Sequence, residues 1–322
     1  MRALIPDPPA TRLGIGRLDL ILLGVPLVWG INYAVIKAAL TELDPLAFNG
    51  IRFTLATLTI WVLVRRLGTP VRIPPQRFWT LVLLGVLGNG LYQLLFIEGL
   101  ARTTAANASL IMASVPVVVA LLGTALGSEK LRASGWLGVT LAAGGLALLL
   151  STGEGGGYVR GNLVGDLMML VASASWALYT VLGASVMART PSLGATLVTF
   201  LAGTPVLLVA AVPSFIRQDW SAVGVKGWAG VAFSGIVAIA LAYLAWNTGL
   251  GAIGGTRTAV YSNLTPVVAA AVAWLTLGER WSAGQLLGAV AVLVGVTLTR
   301  RGAAPRAVLP AGGTPVARAT SA

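Results

Sequence analysis

The chain has 322 residues, 57% of them hydrophobic and 10% charged, with a formal net charge of +12 and a mean hydropathy of +0.87. A soluble domain carries about 25% charged residues, so this chain cannot cover a water-facing surface and reads as an integral membrane protein. It has no Cys and no His, which excludes disulfides, thiol chemistry, zinc sites of the usual kind and a His general base.

The chain opens on a short arm, residues 1–17, with Pro6, Pro8 and Pro9 and no cleavable signal. Ten apolar runs follow, each suited to a helix crossing roughly 30 Å of hydrocarbon. The first is Leu18–Leu40. Trp29, Asn32 and Tyr33 share one face of it, and Lys37 lies near its far end, either facing a cavity or snorkelling to the interface. The second, Pro45–Leu67, holds Arg52 about two turns in. A central charge costs about 2.5–3.5 kcal/mol on the insertion scale. Arg52 therefore needs a partner: a substrate carboxylate, Glu98, or helix-end carbonyls.

The third run, Phe78–Ile97, places Asn89 and Gln93 on one face with Glu98 obliquely beside it. They are either a polar wall of a cavity or interhelical hydrogen bonds worth about 0.6 kcal/mol each. The fourth, Thr103–Leu126, contains Pro116; the fifth is Ser134–Leu150. The sixth, Asn162–Met187, carries Trp176 and Tyr179 on the face matching that of Trp29. The seventh is Ser192–Pro213, and the eighth, Gly227–Asn247, bears Tyr243 and Trp246. The ninth, Thr256–Leu277, begins with Arg257, an inner gate or simply a cytoplasmic cation, and holds Tyr261, Asn263 and Pro266. The tenth is Ala283–Thr299, and residues 300–322 read as a disordered tail. Trp61, Trp79, Trp136, Trp220, Trp228, Trp274 and Trp281 fit an interfacial belt, whereas Trp29 and Trp176 fall near the midplane.

The chain repeats itself. A slide of 150 positions lays Glu98–Gly138 on Thr248–Gly288, with Pro116 on Pro266 and Glu129 on Glu279, both acids reading as local partners of adjacent cations. Asp19 precedes Trp29 by the same step as Asp166 precedes Trp176, so runs 1–5 match runs 6–10. Five is odd, so the two units face opposite ways. Inverted repeats belong to transporters that alternate access around a midplane site. Pro116 and Pro266 are then paired hinges or static kinks. Most Lys and Arg, led by Arg65, Arg66, Arg72 and Arg77, fall on the side of the two termini, which places both termini in the cytoplasm. This reads the net charge as topology-setting, with no nucleic-acid partner.

Leu27-Val28-Trp29-Gly30, Ile51-Arg52-Phe53, Ala242 to Asn247, Asn263-Leu264-Thr265-Pro266 and Leu277-Gly278-Glu279-Arg280 resemble the EamA family of the drug/metabolite transporter superfamily. The resemblance implies an all-α integral membrane protein of ten transmembrane helices in two inverted five-helix repeats, residues 18–151 and 162–299. It also implies a central cavity and export of amino acids or related metabolites across the bacterial inner membrane. No acid falls at mid-depth of a run, so facilitation or exchange is expected, with Glu98 as the one candidate proton carrier. No phosphate-binding Gly-Lys loop is present, and no cofactor or metal is expected. The expected partners are a small-molecule substrate and membrane lipid, with the protein a monomer or weak homo-oligomer. Export of a drug or a nucleotide-sugar-like solute, a membrane-embedded enzyme and a channel are the competing readings.

Overall fold

The computed structural model describes residues 16–68, 73–125, 129–151, 160–278 and 282–305. The amino arm, the tail beyond 305, the Gly153–Gly157 breaker, Glu279 and Trp281 lie outside them.

Helix α1 spans Arg17–Ala39, and its first turn closes when the Gly16 N–H donates to Asp19 Oδ2 at 2.9 Å. Helix α2, Pro45–Arg66, starts on an Asp44 cap that accepts from Leu46 N at 2.9 Å, with Pro45 fixing the first helical φ. Helix α3, Pro75–Arg102, widens to π-helical turns over Val86–Leu91. Helix α4, Ala105–Ala125, is capped by Thr104 and interrupted between Met112 and Val115. The break falls where Pro116 removes a donor and its ring crowds the carbonyl four residues back. Helices α5 (Ala133–Ser151), α6 (Arg160–Met187) and α7 (Ser192–Arg217) follow. Helix α8, Val225–Ile253, has its own π-helical stretch over Phe233–Leu241 and ends at Gly254, whose φ of 81° closes the helix. Helix α9 (Gly255–Tyr261) leads through a 3₁₀ turn, Ser262–Leu264, into α10 (Thr265–Leu277). That turn again lies immediately ahead of a proline, Pro266. Helix α11, Ala283–Gly302, is the last.

Seven of these helices are long and apolar enough to cross a membrane: α1, α2, α3, α4, α7, α8 and the Leu163–Met187 stretch of α6. Ala133–Leu148, Thr265–Leu277 and Ala283–Thr299 are shorter apolar helices. The fold is thus helical and multi-pass. Two short strands accompany it: β1 (Glu129–Leu131) pairs antiparallel with β2 (Ala303–Pro305), Lys130 opposite Ala304. Irregular chain is expected from Arg300, but α11 runs on to Gly302 and β2 follows, because backbone partners await it at β1.

Small residues set the closest contacts. A Cβ on Gly138 would lie 2.5 Å from Gly295 O, and one on Gly145 would lie 2.7 Å from Gly288 O. Numbers rise along α5 as they fall along α11, so the two pack antiparallel, backbone against backbone. Without water to drive association, such contact is what membrane helices use. Helix α2 packs on α7, also antiparallel: Gly50 faces Ala211, and the Thr57 and Thr204 hydroxyls hydrogen-bond at 2.8 Å. Trp61, Trp79, Trp136, Trp220, Trp228 and Trp274 are exposed, as expected for an interfacial belt.

Contacts between helix ends fall into two sets. Tyr261 bonds Asp19, Arg77 bonds the Arg189 carbonyl, and β1 pairs with β2. At other ends, Glu42 accepts from Gly224 N and Gly227 N, Thr103 bonds Asp166, and Gln285 bonds Asn107.

Candidate functional site

Arg52 is 1% exposed, at the middle of a polar cluster drawn from α1, α2, α3 and α8. Its Nε donates to Asn49 Oδ1 at 2.8 Å, Nη1 to Ser234 Oγ at 3.1 Å and Nη2 to Gln93 Oε1 at 2.8 Å. Ser234 Oγ in turn donates to Asn32 Oδ1 at 2.7 Å, and Gln93 Nε2 donates to Tyr243 Oη at 2.7 Å. The rings of Phe48, Phe53 and Phe96 lie 5.1, 5.9 and 6.0 Å from the guanidinium carbon, close enough for cation–π attraction. Among the described residues no carboxylate reaches Arg52. A buried charge is tolerated only when its donors are satisfied, and here amide, hydroxyl and ring partners do this without neutralising it.

Beside the cluster stands an aromatic wall. Trp29 and Trp176 meet edge to face at 5.8 Å, and Tyr243 lies 6.0 Å from Trp29 and 5.1 Å from Trp176. Trp29 Nε1 donates to the Ala238 carbonyl at 2.9 Å. Ala238 sits in the π-helical stretch of α8, where altered pairing frees backbone groups for side chains. Cluster and wall bound a cavity enclosing about 640 Å³ of unfilled space, within the range of small-molecule sites. Its floor comes from the two interrupted helices, including Ser109 and Ala113 of α4 and Thr265 and Pro266 of α10.

Of the sequence-derived candidates, Trp29, Asn32, Tyr33, Arg52, Gln93, Trp176, Tyr243 and Pro266 line this cavity. Tyr179 and Trp246 sit one layer behind. Tyr179 stacks on Trp176 at 5.0 Å and donates to Asn247 Oδ1, while Trp246 packs on Trp29 at 5.2 Å. Asn89 does not share a face with Gln93. The wide turns of Val86–Leu91 shift the register, and its side chain lies buried against Gly203 of α7 with both amide atoms unpartnered. Lys37 takes neither expected role, because its Nζ donates to the carbonyls of Leu100 at 3.2 Å and Thr103 at 2.8 Å at the end of α3. Those carbonyls lack intrahelical donors and sit at the negative end of the helix dipole. Glu98 pairs with Arg102, one turn on, and not with Arg52. Tyr261 is held at the α1 terminus by Asp19, and Pro116 breaks α4 without lining the cavity. The side chains of Arg257, Asn263 and Glu129 lie outside the description.

Asn49, Tyr92, Phe96, Ser234 and Thr265 belong to the site and escaped the sequence reading. Asn49 and Phe96 sit one helical turn from Arg52 and Gln93, a spacing that could have found them. Ser234 carried no such signal, since its place depends on how α8 crosses α2.

Two segments of the chain, 17–151 and 163–301, each match the profile of the EamA-like transporter family. The chain belongs to the EamA-like transporter family. It is a membrane transporter of the drug/metabolite superfamily type, and its relatives are named as transporters rather than enzymes. It is similar to the uncharacterized transporter YyaM of Bacillus subtilis, 27% identical over 86% of this chain and 91% of the relative. An uncharacterized transporter of Archaeoglobus fulgidus is 31% identical over 85% and 93%. A probable amino-acid metabolite efflux pump of Salmonella typhimurium is 28% identical over 84% and 91%. One crystal structure matches 89% of this chain and 99% of its own, with a TM-score of 0.67 at 19% identity. That likeness speaks to fold alone.

Proposed function

We propose that this protein exports small organic metabolites, amino acids or related compounds, by alternating access between two inverted five-helix units. The reading has ten spans, with α9 and α10 together forming the ninth, in the bacterial inner membrane with both termini cytoplasmic. The observation that carries it is the enclosed cavity, in which one buried cation faces a wall of aromatic side chains drawn from both halves of the chain.

Residues matched by the internal repeat touch one another, which supports the paired-unit reading. The offset that takes Trp29 to Trp176 also takes Phe53 to Phe200 and Thr57 to Thr204; the first two pairs are in ring contact at 5.8 Å and the third is hydrogen-bonded. The offset of 150 takes Gln93 to Tyr243, again a bonded pair. It also exchanges the Gly145–Gly288 contact with the Gly138–Gly295 contact. Equivalent helices that pack antiparallel on one another point opposite ways across a bilayer, as an inverted repeat requires. The two sets of end contacts also sort as ten alternating spans would sort them.

Arg52 would hold a cargo carboxylate and the aromatic wall its apolar part. Counterflow in liposomes tests the function: preloaded amino acids should drive saturable uptake of labelled ones. Flux without trans-stimulation would indicate a channel, and altered product an enzyme.

A further inference from the structure

The exporter reading leaves the cargo's charge open, and the following inference rests on that reading. We propose that the cavity is built for an organic monoanion, an aromatic carboxylate without an ammonium group, in preference to a zwitterionic amino acid.

Charge is the first reason. Arg52 is the one ionisable side chain of Lys, Arg, Asp or Glu among the cavity-lining residues. Every acid of the sequence falls in a tail, a loop or the end of a span. A zwitterion would leave the guanidinium uncompensated, whereas a carboxylate without an amine makes the loaded site neutral. In a low-dielectric interior that difference is large.

Donor chemistry is the second. A guanidinium offers five N–H donors. Its bonds to Asn49, Ser234 and Gln93 leave two of them without a partner. The Thr265 hydroxyl, 7% exposed and lining the same cavity, also has no partner. These groups can all donate, which suits carboxylate oxygens. Acceptors for an ammonium are scarce: Asn32 Oδ1 already accepts from Ser234 and Gln93 Oε1 from Arg52. Ring faces attract cations, but here the nearby Phe rings already flank Arg52.

Three phenyl compounds differing only in charge separate the possibilities. The wild-type protein in lipid nanodiscs is titrated with 3-phenylpropionate, phenylalanine and phenethylamine, and quenching of its tryptophan fluorescence is read. The expected order is anion tightest, zwitterion about tenfold or more weaker, and cation weakest, the size of one charge-assisted hydrogen-bond set. Arg52→Gln should weaken the anion by about ten- to hundredfold and leave the amine unchanged. Should that variant fail to fold, Thr265→Val provides a second test, weakening the anion more than the amine. Phenylalanine binding as tightly as phenylpropionate would overturn the proposal, as would an anion affinity indifferent to Arg52→Gln. No saturable response to any of the three would overturn it too. Counterflow reads the exporter function separately: phenylalanine that binds best and exchanges would sink this inference and leave export standing.

Discussion

Lys37 and Arg52 lie on successive helices of one bundle, yet their partners give them different work. Lys37 ties the end of α3 to α1 through two carbonyls, so its loss should act on stability. Lys37→Met is expected to lower stability by about 1–3 kcal/mol, the range for hydrogen bonds from a charged donor, without changing ligand affinity; thermal unfolding and a binding titration on the same sample read both. Arg52 contributes charge to the cavity, so Arg52→Gln should raise the half-saturation for carboxylate cargo while leaving amines alone. Equal losses for both would assign Arg52 a purely structural role. Trp29, Trp176 and Arg52 were legible in the sequence because polar and aromatic residues at mid-depth of an apolar helix are costly and few. Lys37 was misread because its acceptors are backbone carbonyls, and carbonyls leave no mark in a sequence. Glu98 was a plausible partner for Arg52 by span depth alone, but Arg102 one turn away competes with no loop to close.

The interrupted helices decide how the elements move. Pro116 and Pro266 stand at matching places in the repeat, each just after a break, and Pro266 lines the cavity. Pro266→Ala is expected to restore helical hydrogen bonds across Ser262–Leu264 and slow turnover several-fold with little change in binding. Unchanged exchange rates would make the break a static kink. The seam between α5 and α11 has the opposite character. Gly145→Leu places a side chain where the Gly288 carbonyl already sits, and overpacking of this kind costs about 3 kcal/mol or more; the expected outcome is loss of folded protein from detergent extracts. Proline predicted both breaks, because its effect is local. The π-helical stretches of α3 and α8 were not legible, because they arise where Gly85 and Gly235 press against the backbone of a neighbouring helix. Asn89 was misplaced for that reason.

At the scale of the whole molecule, the repeat was the feature most readily read from sequence, since duplication preserves spacing even where residues change. The two halves are not chemically equal. The offset that matches Trp29 with Trp176 sets Arg52 opposite Thr199, and Asn49 opposite Thr196, which accepts from Asn247 in a neutral network with Tyr179. Charge therefore resides in one half, while both supply the aromatic wall. A cargo between them touches both units, and opening toward either side means parting one unit's interrupted helix from the other. Access from both faces of the membrane to one buried position tests this most directly. The chain has no Cys, so Ser262→Cys, a near-isosteric change at the cavity lining, provides a single reporter. In oriented vesicles the thiol should react with an impermeant reagent added from either face, and bound cargo should protect it from both. Reaction from one face alone, or reaction that cargo leaves untouched, would contradict a carrier that alternates around this cavity.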